Sequence, residues 1–171
     1  KIGSRNAKKG EEIQALDGKN YKLDDDMCVI ADDKKVLGIG GIMGGEYSSS
    51  SMDTTEIFLE SAYFDPVQIA LTGRKLNIMS DSRYRFERGV DPSYVLDGLE
   101  YATNLIIELC GGTAEEISVI DNRKFVNKKI NFSPELVKKM TGLEIENKVI
   151  SEILLSLGFK VSSDWELKVP S

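Results

Sequence analysis

Gly38-Ile39-Gly40-Gly41-Ile42-Met43-Gly44-Gly45 decides how this chain is read, together with what it runs into: Glu46, Tyr47, four serines at 48–51, and then Phe58-Leu59-Glu60-Ser61-Ala62-Tyr63-Phe64. Five glycines fall in eight positions. Glycine costs conformational entropy in regular structure, so this density means that the backbone passes close to something or takes up positive φ. A ligand or another strand lies against it. It is neither a dinucleotide fingerprint nor a phosphate-binding loop, because no helix and no Lys-Ser/Thr pair follows the glycines. The serines read as a solvated, flexible loop.

Working upstream, the chain reads as β structure. Lys1–Arg5 has the look of the middle of a strand. Glu12–Leu16 and Tyr21–Leu23 flank Asp17-Gly18, a dipeptide that supplies the positive φ of a tight turn, so they form a hairpin. Met27–Ala31 and Val36–Ile39 flank Asp32-Asp33-Lys34 as a second hairpin leading into the glycines. Downstream, Glu56–Tyr63 reads as a further strand with Phe58, Glu60 and Ala62 on one face and Ile57, Leu59 and Ser61 on the other.

Asp65-Pro66 then switches the period, since Asp caps helices and Pro is tolerated at their first position. The spacing predicts a helix over 67–76, an irregular polar stretch over 77–89, and a long helix over 93–110. Val95, Leu99, Ala102, Ile106 and Leu109 form the inner face of that helix, and Gly111-Gly112 ends it. Replacing Leu99 or Ile106 by alanine should cost about 2–5 kcal/mol if that face is buried. Ala114–Ile120 reads as a strand returning to the sheet. The composition shifts at Asp121–Lys124, which marks a boundary between residues 1–123 and 124–171. Beyond it come a strand at 129–132, helices at 134–140 and 146–157, and strands at 159–162 and 166–169. Leu136, Met140, Val149, Ile153, Leu154 and Leu157 are the inward residues. The fold class is α+β: a mixed, mostly antiparallel sheet with flanking helices, followed by a small, partial α/β unit.

Composition limits the chemistry. The 171 residues are 41% hydrophobic and 29% charged, ordinary for a globular protein, with a net charge of −6. No global basic field draws in nucleic acid, so any RNA contact is local or is supplied by parts of a larger protein. No apolar run approaches the roughly 20 residues of a membrane span. Cys28 and Cys110 lack CxxC partners, suit a reducing cytosol, and read as small core residues. There is no histidine, which excludes Ser-His-Asp and Cys-His catalysis within the chain and most zinc sites.

Two places could carry function. Glu60 is either a solvated strand carboxylate or an anchor for a ligand group such as an α-ammonium. In Ser80–Gly89, Arg83, Arg85 and Arg88 face Asp81 and Glu87 with aromatics interleaved. That pattern fits a salt-bridged loop, a structural arginine fork or a nucleic-acid contact.

Gly40–Glu46, Phe58–Pro66 and Ser80–Pro92 together resemble, in order and spacing, the β subunit of bacterial phenylalanyl-tRNA synthetases. They match the second half of its B3/B4 editing domain, and the tail from about Lys129 is similar to the start of its B5 domain. The resemblance covers essentially the whole chain. It implies an (αβ)2 ligase that uses ATP and magnesium, with an α subunit and the phenylalanine tRNA as partners, in the cytoplasm. It further implies a pocket that hydrolyses tyrosine mistakenly esterified to that tRNA. By motif, Glu60 matches the pocket glutamate that recognises the tyrosine hydroxyl, a reading that competes with an ammonium anchor. Gly40, Gly41, Gly44 and Gly45 match the glycine wall. Ser80 stands where many members carry threonine, and Ser82 where many carry alanine, which adds a polar atom in a tight place. The resemblance supplies no general base or nucleophile here, so hydrolysis rests on a positioned water and the tRNA's terminal hydroxyl. The family's editing histidine would precede Lys1 and its B5 magnesium ligands would follow Ser171. On that basis this piece alone binds no cofactor or metal and is inactive. The alternative is a non-catalytic amino-acid-binding or structural module of the same kind.

Overall fold

The computed structural model describes residues 1–121 and 128–171 and divides into two units, 1–114 and 115–171. The expected boundary at 123/124 lies outside the described residues.

In the first unit both hairpins form. Strands β2 (Glu12–Gln14) and β3 (Asn20–Lys22) pair antiparallel around Asp17-Gly18, with Gly18 at φ +77°. Asp17 steadies the turn by accepting from Lys19 N at 3.1 Å and the Tyr21 hydroxyl at 2.6 Å. A four-stranded antiparallel sheet runs β1 (Gly3–Asn6), β4 (Cys28–Ala31), β5 (Val36–Ile39), β6 (Met43–Gly44) in that order. Ala15 bridges to Gly45 and joins the hairpin to this sheet. Alternation sends Val29, Ala31, Val36 and Ile39 into a core shared with Leu23, Met27, Ile42, Phe64, Ile69 and Ile78. On the outer side Arg5 grips Glu11 through two bonds of 2.9 and 2.7 Å, and Lys8 N adds a third at 2.8 Å.

Helix α1 (Pro66–Leu76) starts as its sequence dictates. Asp65 Oδ1 accepts from Gln68 N at 2.8 Å, Pro66 holds the first position, and Asn77 closes the helix in the left-handed conformation. Ile69 enters the core, and Gln68 Nε2 donates to Asp26 O at 2.8 Å.

Several expectations are corrected. Residues 77–89 are not irregular throughout, because Asp81–Phe86 form a helix, α2, capped by Ser80. Glu56–Tyr63 forms no strand. Its alternation would suit a strand, but it pairs with neither outer strand, β1 or β6, of the four-stranded sheet. The Ala114–Ile120 strand is likewise absent, and its residues are exposed. The long helix, α3 (Val95–Cys110), does form after a 3-10 turn at Pro92–Tyr94 and ends at Gly111 with φ +74°. None of its residues is buried. Val95, Leu99, Ala102 and Ile106 are half-buried, whereas Leu109 is 74% exposed. Cys28 is half-buried and Cys110 is exposed, so only the former packs as expected.

In the second unit the predicted order holds: β7 (Lys129–Asn131), α4 (Glu135–Thr141), α5 (Asn147–Ser156), β8 (Lys160–Val161) and β9 (Glu166–Lys168). The sheet order is β7-β9-β8, antiparallel throughout. Gly142 and Gly158 end the helices at positive φ. The buried residues are Ile150 and Leu167 rather than the expected set. Leu136, Met140, Val149, Ile153 and Leu157 are exposed and Leu154 is half-buried among the described residues.

Candidate functional site

The glycine wall is explained first by what touches it. A Cβ on Gly40 would stand 2.8 Å from Phe64 Cε1 and 3.1 Å from Cys28 Sγ. One on Gly41, at φ +66°, would meet Phe64 Cδ2 at 2.9 Å and Ile69 Cδ1 at 3.0 Å. Both contacts are shorter than carbon atoms tolerate, so the backbone has to be bare for the Phe64 ring to seat against it. The close neighbour that the glycine density required is thus, at these two positions, an aromatic side chain. Gly45 answers to a different need: its Cβ would lie 2.7 Å from Leu37 O, the atom to which its own N–H donates.

Above this wall opens a cleft of about 960 Å³ lined by Gly40, Gly41, Gly44, Phe58, Glu60, Ala62, Phe64, Ser82, Phe86 and Tyr94, among others. The structure therefore brings Glu60, three of the four glycines and Ser82 to one cavity. Gly45 and Ser80 lie outside its lining. Phe58, Glu60 and Ala62 do share the cleft side, but Ile57 and Ser61 reach it too, since an unpaired segment is free to twist.

Glu60 makes no hydrogen bond or ion pair among the described residues. It keeps open surface, so a ligand can reach it. Yet the walls around its carboxyl withdraw enough water to raise its pKa above the ordinary value. Burial pushes the Cys28 thiol up, and the charge of Glu60 adds to that rise. The carboxylate and Gly40 line the same cleft. A desolvated carboxylate without a partner is an acceptor waiting for a donor.

Ser80 acts structurally. Its Oγ accepts from Arg83 N at 3.1 Å, capping α2, and donates to Ile42 O at 2.7 Å, tying α2 to the glycine loop. Ser followed by Asp at a helix start is a capping signal that would have revealed α2 from the sequence. Ser82, on the first turn of α2, is half-buried on the cleft and makes no hydrogen bond among the described residues.

The arginines divide by role. Arg83 is buried, donating to Ile78 O at 2.6 Å and to Glu87 Oε2 at 3.0 Å. Its side chain crosses Gly73 so closely that a Cβ there would lie 2.2 Å from Nε. This is the structural fork. Arg88 lies over the Tyr84 ring at 3.6 Å and bonds Tyr84 O and Glu87. Arg85 is exposed and makes no ion pair among the described residues.

Sequence reasoning did not single out Phe64 and Phe86, whose rings meet edge to face with centroids 5.2 Å apart. An aromatic four residues after Ser82 on a helix was the available signal. Among the described residues no three His, Cys, Asp or Glu side chains gather to hold a metal. Among the described residues no helix is long and apolar enough to cross a membrane.

Comparison with known proteins identifies the family of the chain. The family model for the B3/4 domain matches residues 1–111. The chain is 50% identical over 157 residues to the phenylalanine–tRNA ligase beta subunit of Rhodopseudomonas palustris, covering 92% of this chain and 20% of that protein. It is 45% identical over 163 residues to that of Mesorhizobium japonicum, covering 95% and 20%. It is also 45% identical over 170 residues to that of Novosphingobium aromaticivorans, covering 99% and 21%. The chain spans about a fifth of the length of these relatives. It belongs to the B3/4 domain family.

Proposed function

We propose that this B3/4 chain is a segment of a phenylalanine–tRNA ligase β subunit and forms part of the cleft that hydrolyses tyrosine wrongly esterified to the phenylalanine tRNA. The observation that carries the reading is Glu60: an accessible, unpaired carboxylate on the same cleft as the Phe64-backed glycines. An aromatic ring laid on that floor would bring a para hydroxyl to a group that can only accept. Phenylalanine lacks the donor, so it leaves the carboxylate's lost hydration uncompensated. That supplies the discrimination that a largely apolar synthetic pocket lacks, because such a pocket rejects an added hydroxyl poorly.

The chemistry asks little of this chain beyond binding. A water oxygen attacks the ester carbonyl carbon, the bond from that carbon to the ribose oxygen breaks, and the ribose oxygen takes up a proton. The tRNA's terminal hydroxyl can relay that proton. Glu60 and the aromatic floor hold the acyl group while this occurs. ATP and magnesium would serve ligation on the α subunit, and no residue here is assigned to them. Residues 124–171 are read as the beginning of the B5 domain, and the parent as an (αβ)2 enzyme of the cytoplasm.

The test is deacylation of tyrosyl-tRNA(Phe) by the full-length enzyme and its Glu60→Ala variant. Losing a hydrogen bond to a carboxylate should lower kcat/KM by about 10- to 100-fold. Equal rates would remove Glu60 from the reaction and leave a module that binds without proofreading.

A further inference from the structure

Glu60 and Ser82 come to the same aromatic floor from different elements. Phe64 and Phe86 pack edge to face at 72°. Glu60 lines the same cleft as Phe64, Phe86 and Ser82. Ser82 joins it through Phe86, one turn later on the same face of α2. The bond from Ser80 to Ile42 O fixes that face against the glycine loop. Several other hydroxyls on the cleft are spent: Ser61 donates to Val95 O at 2.8 Å, Ser48 to Leu37 O at 2.8 Å and Ser49 to Glu46 O at 2.8 Å. Tyr47, Ser50 and Tyr94 also line the cleft, but Ser82 is the hydroxyl carried by the helix that brings Phe86 to the floor. Ser82 and Glu60 hold no such bond among the described residues.

We propose that Ser82 is a specificity-determining residue of the cleft, its hydroxyl donating to the phenol oxygen of a bound tyrosyl group while that phenol donates to Glu60. This rests on the editing reading above and extends it. A carboxylate only accepts, so Glu60 reads the phenol as a donor. The phenol oxygen also carries lone pairs, and a serine hydroxyl can donate to them. The substrate hydroxyl is then read twice, and a bare phenyl ring satisfies neither group. Two polar groups that a bound ring covers and leaves unpaired discriminate more strongly than one.

The experiment compares kcat/KM for deacylation of tyrosyl- and phenylalanyl-tRNA(Phe) by the full-length enzyme, with Ser82→Ala, Ser82→Cys and Ser82→Thr. Cysteine keeps the shape of serine but donates weakly. Alanine and cysteine should each lower the tyrosine-to-phenylalanine ratio about tenfold, mainly through KM, the size of one neutral hydrogen bond. Threonine should restore the ratio. An unchanged or increased ratio in both Ala and Cys variants overturns the proposal, as would threonine behaving like alanine. If alanine lowers the melting temperature, the cysteine variant decides. Glu60→Ala in the same assay separates the two levels. Loss of tyrosine deacylation there with Ser82 variants silent defeats only the second reader, and an unaffected Glu60 variant defeats the editing reading itself.

Discussion

The sheet of the first unit and helix α3 carry equally regular hydrophobic patterns, yet only one of them is buried. Leu23, Met27 and Val29 are fully enclosed, whereas α3 contributes no buried residue across Val95–Cys110. Both elements form where local signals put them. The difference lies in partners: the sheet meets α1, the β2–β3 hairpin and Phe64, while α3 is covered only along one half-buried stripe. A periodic pattern states which face an element can bury, and packing states whether anything is there to receive it.

Alanine substitution breaks or sharpens this contrast. Leu23→Ala removes a fully enclosed side chain and should cost about 2–5 kcal/mol in urea unfolding. A loss below about 1 kcal/mol would mean that the sheet core is looser than its enclosure implies. The next effect is a pH dependence on the same sheet. Arg5 holds the Glu11 carboxyl at about 2, below its ordinary 4.5. A depressed carboxyl pKa stabilises the fold above the ordinary value, and that stability is lost as pH falls from 4.5 toward 2. Arg5→Ala should therefore lower stability at pH 7 by about 1–2 kcal/mol, reduced from the full shift because the guanidinium is partly solvated. The gap should close by pH 2, as followed by thermal melts across that range. A constant gap at all pH would assign the loss to packing instead. The smallest effect belongs to α3. Leu99→Ala should cost no more than about 1 kcal/mol, because a half-buried leucine has little to lose. A loss matching that of Leu23 would erase the distinction between the two regions.

Local grammar carried much of the fold. Asp17-Gly18, Asp65-Pro66, Gly111, Gly142 and Gly158 punctuate the chain where the structure turns, starts or stops. These signals are legible because they act through φ preferences and single capping bonds within a few residues. The two strands read into Glu56–Tyr63 and Ala114–Ile120 were not realised: alternation states only that a segment could pair, and neither segment docks on the open edges at β1 or β6. Helix α2 was overlooked because its six residues carry no apolar period, with Tyr84 and Phe86 among charged and polar neighbours, leaving the Ser80 cap as the main signal.

For the candidate site, residue identity alone placed an acid, a bare backbone and a serine in ordered motifs, since those chemical types are written directly in the chain. Which of them meet was decided only on folding. Gly40 and Gly41 are bare so that Phe64 can seat, Gly45 lies outside the cleft lining, and Ser80 spends its hydroxyl on a cap while Ser82 keeps its own available. Hydrogen-bond partners and close approaches across 20 or more residues depend on how elements pack, and no local preference encodes that.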